Sequence, residues 1–132
     1  MKALIVDDVE MNRELLAIHL EGIALVTFAE SGEQALGMVE EALQKGGNFD
    51  LICLDISMPG MDGHETLKNI RSLEAAHPGS VAKVFMVTAS SSPDDMIEAL
   101  MSGGCDDYLT KPVMHQSFQE LLRKHGLESC NS

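Results

Sequence analysis

Phe49-Asp50-Leu51-Ile52-Cys53-Leu54-Asp55-Ile56-Ser57-Met58-Pro59-Gly60-Met61-Asp62-Gly63 is the stretch from which the rest of the chain can be read. Leu51 to Leu54 is an unbroken apolar run, which suits a strand buried on both faces of a parallel sheet. Asp55 ends the run, and Pro59 and Gly60 forbid its continuation. A helical pattern begins near Asp62. A lone carboxylate at the carboxyl end of a central strand stands where open α/β sheets place their chemistry. Asp is also a common turn residue, so this stretch alone leaves open that Asp55 merely ends a strand.

The flanking sequence repeats the pattern. Lys2 to Val6 reads as a strand ending in Asp7 and Asp8, followed by a helix from about Glu10 to Leu20 that turns Met11, Leu15 and Ile18 inward, with Leu16 and Leu20 as further candidates. Ala24 to Phe28 is a second short strand. Ser31-Gly32-Glu33-Gln34 has capping-box spacing and opens a helix to about Leu43. After the Asp55 strand, Asp62 opens a helix to about Leu73 with Leu67, Ile70 and Leu73 inward. Lys83 to Val87 is the fourth strand and delivers Thr88-Ala89-Ser90. Ser92 and Pro93 start another helix, which Gly103-Gly104 stop. A fifth strand, Asp107 to Leu109, is weak on propensity. It leads to Thr110-Lys111-Pro112 and a last helix from about Met114 with Phe118, Leu121 and Leu122 inward. Five strand–helix units with short, right-handed connections give a doubly wound α/β fold with five helices.

Bulk properties narrow the function. The 132 residues fit one domain, expected over residues 1–126 with a flexible tail at 127–132. A formal charge of −12 argues against nucleic acid or an anionic membrane as a direct partner. No apolar run approaches a membrane span, and MKALIVDD reaches its acids too soon for a signal peptide, so a cytoplasmic location is expected. The isolated Cys53, Cys105 and Cys130 read as reduced thiols.

Strand ends one, three, four and five bring Asp7-Asp8, Asp55, Thr88 and Lys111 to one sheet edge. Three clustered carboxylates repel, and their site asks for a cation. Oxygen-only ligands suit Mg²⁺. A carboxylate-held metal is a recurrent phosphoryl-transfer device, and Asp can serve as the nucleophile. An acidic rim neutralised by Lys111, without chemistry, is the plainer alternative.

Those residues carry a resemblance. Asp7-Asp8, LDISMPGMDG around Asp55, Thr88-Ala89, Asp106-Asp107-Tyr108 and Lys111-Pro112, in that order, resemble the receiver domain of the response-regulator family, and the chain length is similar to its stand-alone, chemotaxis-type members. The resemblance implies a flavodoxin-like sheet of order 2-1-3-4-5 with Asp55 as phosphoacceptor. It implies Mg²⁺ on Asp8, Asp55 and the Ser57 carbonyl, with Asp7 acting mainly through water. Thr88 and Lys111 would contact the phosphoryl oxygens, Tyr108 would be the switching aromatic, and the Lys111–Pro112 bond would be cis. Ser57 and Ser90 stand where the family tunes phosphate lifetime, and both are small here.

The implied function is a single-domain response regulator of a two-component or phosphorelay system. It would take a phosphoryl group from a histidine kinase or histidine phosphotransfer protein and catalyse its own phosphorylation and dephosphorylation. Acting through a separate downstream effector, it is expected to be a monomer or weak dimer. A phosphorylation-independent interaction module or a phosphate sink of the same fold is the alternative. A metal-dependent hydrolase is disfavoured because Ser57 stands where its second acid is needed. Origin in a larger hybrid kinase is less favoured, given Met1 and the irregular end at His125 to Ser132. The five histidines show no ligand spacing, so no zinc site is expected, and His64 is expected to face solvent. The glycines form no nucleotide-binding loop. Met86 is expected in the core, and for Met96, Met101 and Met114 core filling is favoured over a partner surface.

Overall fold

The computed structural model describes residues 1–56, 58–77, 79, 81–88 and 105–127. Its elements are β1 (Lys2–Val6), α1 (Glu10–His19), β2 (Leu25–Ala29), α2 (Gly32–Gln44), β3 (Leu51–Asp55), α3 (Gly63–Ala76), β4 (Lys83–Thr88), β5 (Asp107–Thr110) and α4 (His115–Lys124). The strands form one parallel sheet of order β2-β1-β3-β4-β5, the flavodoxin-like order the resemblance implied. The helix expected from Ser92, with Met96 and Met101, lies outside the described residues.

Alternation along each buried strand divides the core into two layers. Leu4 and Val6 of β1, Ile52 and Leu54 of β3, and Val84 and Met86 of β4 pack against α2 and α3. Ala3 and Ile5, Leu51 and Cys53, and Phe85 and Val87 point the other way, onto α1 and α4. All five residues of β3 are buried, as its apolar run demands. Burial pushes the Cys53 thiol up to about 12, so it is an inert core group.

Helix starts follow their caps. The Ser31 side chain accepts from the Gln34 N–H, and the Gln34 side chain reaches back to the Glu30 N–H. Asp62 accepts from the Glu65 N–H at 2.9 Å. Gly63 has a separate role. A Cβ there would stand 2.5 Å from the Asp55 carbonyl oxygen and 2.7 Å from Ile56 Cα. The first turn of α3 therefore lies directly against the end of β3.

The weak propensity of β5 is offset by its own acids. Asp106 accepts from the Val84 N–H at 2.8 Å and pairs with Arg71 at 3.1 Å. Arg71 also reaches Glu74, whose other oxygen accepts from the Ala82 N–H. At Asp107, burial acts to raise the carboxyl. Hydrogen bonds from the His125 ring, the Tyr108 N–H and Lys124 outweigh it and hold the group below its usual range.

On α1 the expected inward stripe is corrected. Met11, Leu15 and Ile18 are 68%, 53% and 59% exposed, while Arg13, Leu16 and Leu20 are buried. Met11-Leu15-Ile18 and Arg13-Leu16-Leu20 both satisfy helical spacing. Periodicity alone cannot choose between them when a guanidinium occupies the buried face. His64 is half-buried, not exposed, and its Nδ1 is enclosed. His19 and His115, far apart in sequence, meet with Nδ1 atoms 2.9 Å apart across the α1–α4 seam. Met86 lies in the core and Met114 is exposed.

Two outcomes follow from this packing. Gly63→Ala should cost on the order of 1–3 kcal/mol in urea denaturation, because the added methyl meets backbone that cannot rotate away. Burial lowers the His19 imidazole below its ordinary 6.5, nearby His115 lowers it further, and a hydrogen bond with the Val113 backbone partly opposes both. Its folded state therefore binds fewer protons than the unfolded chain. The stability it contributes is present above pH 6.5 and lost as pH falls through the lower folded value. Denaturation midpoints should drop more between pH 7 and pH 5 in the native protein than in His19→Gln.

Candidate functional site

Parallel register builds the site. Val6 pairs with Leu54 and Asp55 with Val87, so Asp7 and Thr88 extend one step beyond these pairs at the carboxyl edge. The ladder continues past the strands: the Asp7 N–H donates to the Ala29 carbonyl, the Ile56 N–H to Val87 and the Lys111 N–H to Thr88. This last bond, at 2.7 Å, ties the residue after β5 to the end of β4. The Lys111–Pro112 bond is cis, as the resemblance implied.

Carboxylate oxygens of Asp7, Asp8 and Asp55 all lie within 4.8 Å of one another. Asp7 and Asp55 are buried and Asp8 is exposed. Asp7 is doubly held: Oδ1 accepts from the Val9 N–H at 2.9 Å, and Oδ2 lies 3.1 Å from Lys111 Nζ. The same ammonium is 3.5 Å from Asp55 Oδ1. Thr88 is buried at the same edge. Thus Asp7, Asp8, Asp55, Thr88 and Lys111 come together, whereas Ser57, Ala89 and Ser90 lie outside the described residues. Tyr108 is half-buried against the α2–α3 layer, three residues from Lys111.

The donor set fits a hard divalent cation. It offers carboxylate oxygen alone, with one acid facing solvent so that retained water can complete a coordination shell, as Mg²⁺ prefers. No other cluster of three or more metal-ligating side chains occurs among the described residues.

One participant escapes sequence reading. Arg13 is buried, and its Nη1 donates to the Asp7 carbonyl at 2.7 Å. An Arg at the fourth position of a helix looks like an ordinary surface residue. Only the burial of the α1 face that carries it marks it out. Other residues of the same helix line a groove of about 450 Å³ between α1 and the segment after β5, with Leu15, Leu16, His19, Lys111 and Pro112 in its walls.

Residues 3–123 match the family described as the response regulator receiver domain. The two-component response regulator ORR41 of Oryza sativa subsp. japonica is 32% identical over 130 residues, covering 96% of this chain and 95% of that protein. The receiver domain of the histidine kinase CKI1 from Arabidopsis thaliana, complexed with Mg²⁺ and BeF₃⁻, superposes with TM-score 0.84 at 27% identity, over 95% of this chain and 89% of that one. A co-crystal structure of the Saccharomyces cerevisiae phosphotransfer protein Ypd1 with the receiver domain of its downstream response regulator Ssk1 matches with TM-score 0.78 and 31% identity, over 96% and 88%. The chain spans only 6% to 13% of the hybrid and sensor histidine kinases it also matches. With the match running from β1 to the last turn of α4, over strands in receiver order and an acidic edge facing a lysine, the chain belongs to the response regulator receiver domain family.

Proposed function

We propose that this protein is a phosphorylation-controlled switch in a two-component or phosphorelay pathway, with Asp55 as its phosphoacceptor. One observation carries the reading: Asp55 ends the central strand within 4.8 Å of the Asp7 and Asp8 carboxylates and 3.5 Å from Lys111 Nζ. In this reading an Asp55 oxygen attacks the phosphorus of a partner's phosphohistidine. The O–P bond forms as the P–N bond breaks, and the imidazole leaves with the electron pair and takes up a proton. Lys111 and Thr88 would face phosphoryl oxygens, with Lys111 Nζ already 3.1 Å from Asp7 and 3.5 Å from Asp55. Asp8, Asp55 and the Ser57 carbonyl would hold Mg²⁺, with Asp7 acting through water. When bound, the ion supplies positive charge against the phosphoryl oxygens. Water later hydrolyses the acyl phosphate.

The partner proposed is a histidine kinase or histidine phosphotransfer protein, with a separate protein as effector, in the cytoplasm. Exposed Leu15 lines the groove that also contains Lys111, so an apolar partner surface seated on α1 reaches the phosphate edge. The Ypd1–Ssk1 pair offers a precedent for a receiver docked on a phosphotransfer protein. Tyr108 is proposed as the body that responds when Thr88 moves. Its inward and outward positions need to differ by only a few kcal/mol for one phosphoryl group to shift them.

Incubation with Mg²⁺ and a small phosphodonor should add one phosphoryl group by intact-mass measurement. An equal adduct on Asp55→Asn would overturn the assignment. Mg²⁺ at about a hundredfold excess over its Kd should stabilise the fold by roughly 2.7 kcal/mol, a melting rise on the order of 10 °C for a domain of this size. Asp8→Ala should shrink that rise while leaving the metal-free protein no less stable, since one repelling charge is gone. For Tyr108→Ala, phosphorylation should persist while the amide shifts that a phosphate mimic induces across β5 and α4 diminish. Shifts of unchanged pattern and size would make Tyr108 a packed bystander.

A further inference from the structure

We propose that Arg13 is a positioning residue that sets the orientation of Asp8 toward the metal site. The inference rests on reading the acidic edge as a Mg²⁺ site and adds a part that reading does not contain. Arg13 is 8% exposed, and the other buried residues of its helix face are apolar. Burying a guanidinium is costly unless it is well paired, and a Leu or Met would cover the same core without that cost. Its ion pair does not account for its presence. Glu30 Oε1 lies 3.6 Å from Nη2 on a side chain that is 73% exposed, a geometry worth little. The strong contact is the 2.7 Å bond to the Asp7 carbonyl.

That carbonyl belongs to the peptide unit joining Asp7 to Asp8. The unit is planar, so a donor on its oxygen orients the plane from which the Asp8 Cα departs. The two acids differ in how much they depend on it. Asp7's carboxylate has its own anchors in the Val9 N–H and Lys111. Asp8 is exposed, and among the described residues no hydrogen bond or ion pair holds its carboxylate. Among the described residues, only the backbone sets its direction. Arg13 therefore acts on the less anchored acid through the main chain. It leaves all three carboxylates available for the ion, which a cation bound directly to them would not.

Mg²⁺ affinity measured by calorimetric titration, together with melting of the metal-free protein, tests this. Arg13→Met and the milder Arg13→Gln should each weaken Mg²⁺ binding about 10-fold, the scale of lost outer-shell support. Phosphorylation should fall at limiting Mg²⁺ and recover at saturation. Glu30→Gln, which leaves the Asp7 contact intact, should bind Mg²⁺ normally. In an Asp8→Ala background, Arg13→Gln should cause no further loss. Arg13→Gln is the readable variant where Arg13→Met does not fold. Wild-type affinity in a folded Arg13 variant, with only its melting lowered, would make Arg13 a core filler. An equal loss in the Asp8→Ala background would make it a distant charge, and either result overturns the proposal. If Asp8→Ala itself leaves Mg²⁺ affinity unchanged, it is the reading of the metal site that fails.

Discussion

Asp7, Asp8 and Asp55 share an edge with carboxylate oxygens within 4.8 Å of one another, where two unit charges at that limit and an effective dielectric of about 20 repel by roughly 3 kcal/mol. That repulsion conditions the surrounding architecture. Lys111 stands 3.1 Å from Asp7 and 3.5 Å from Asp55, and it is placed there by the bond from its N–H to the Thr88 carbonyl. The lysine's position thus depends on β5 pairing with β4 in register. The opposite edge of the sheet shows what full compensation looks like. There Arg71 serves Glu74 and Asp106 together; the other Glu74 oxygen takes the N–H of Ala82, and the Asp106 oxygen that meets Arg71 also takes the N–H of Val84. Both clusters set carboxylates against a cationic side chain. Each acid at the amino edge caps a strand start, whereas the carboxyl edge gathers more acid than its lysine offsets, which is the state a cation relieves.

Rigidity at Asp55 comes from both directions. Behind it, β3 is buried throughout and bonded to β1 and β4. In front, α3 begins so close to the Asp55 carbonyl that only a glycine fits at position 63. A carboxylate held between a central strand and a helix start has little rotational freedom left, which in the proposed role of phosphoacceptor would favour a defined line of attack. The Gly63 N–H also donates to the Ile56 carbonyl, closing the loop that carries Pro59 and Gly60. Gly60, at φ 79°, takes the one left-handed step in that loop among the described residues.

Most of the fold and the principal acids were legible because their signals are local. The apolar run Leu51–Leu54, the caps at Ser31 and Asp62, and the acids at the ends of β1 and β3 need only neighbouring residues to be interpreted. The site residues were legible for a topological reason: parallel strands deliver all their carboxyl ends to one edge. What stayed hidden depends on contacts between distant segments. Leu16 and Leu20 share Arg13's helix face, but Met11, Leu15 and Ile18 form an equally good stripe without a charged member. His19 and His115 show no ligand spacing because the seam between α1 and α4 alone brings them together. β5 looked weak since Asp106 and Asp107 are poor strand formers, yet their carboxylates bind the N–H groups of Val84 and Tyr108.

The reversal on α1 joins the two outer aspects of the site. The same helix turns Arg13 toward the Asp7 carbonyl and Leu15 toward the groove shared with Lys111. Its exposed apolar residues, Met11, Leu15 and Ile18, do not contribute to the core of the isolated fold and form the apolar surface that the proposed partner would cover. A partner seated on them desolvates area that the free protein leaves wet, and this gain is independent of the phosphate. In the proposed reading, association on α1 and chemistry at Asp55 would therefore be tuned separately, the first through the outward residues and the second through the acids and Lys111. They remain physically linked, because a displacement of α1 moves Arg13 and with it the peptide that carries Asp8.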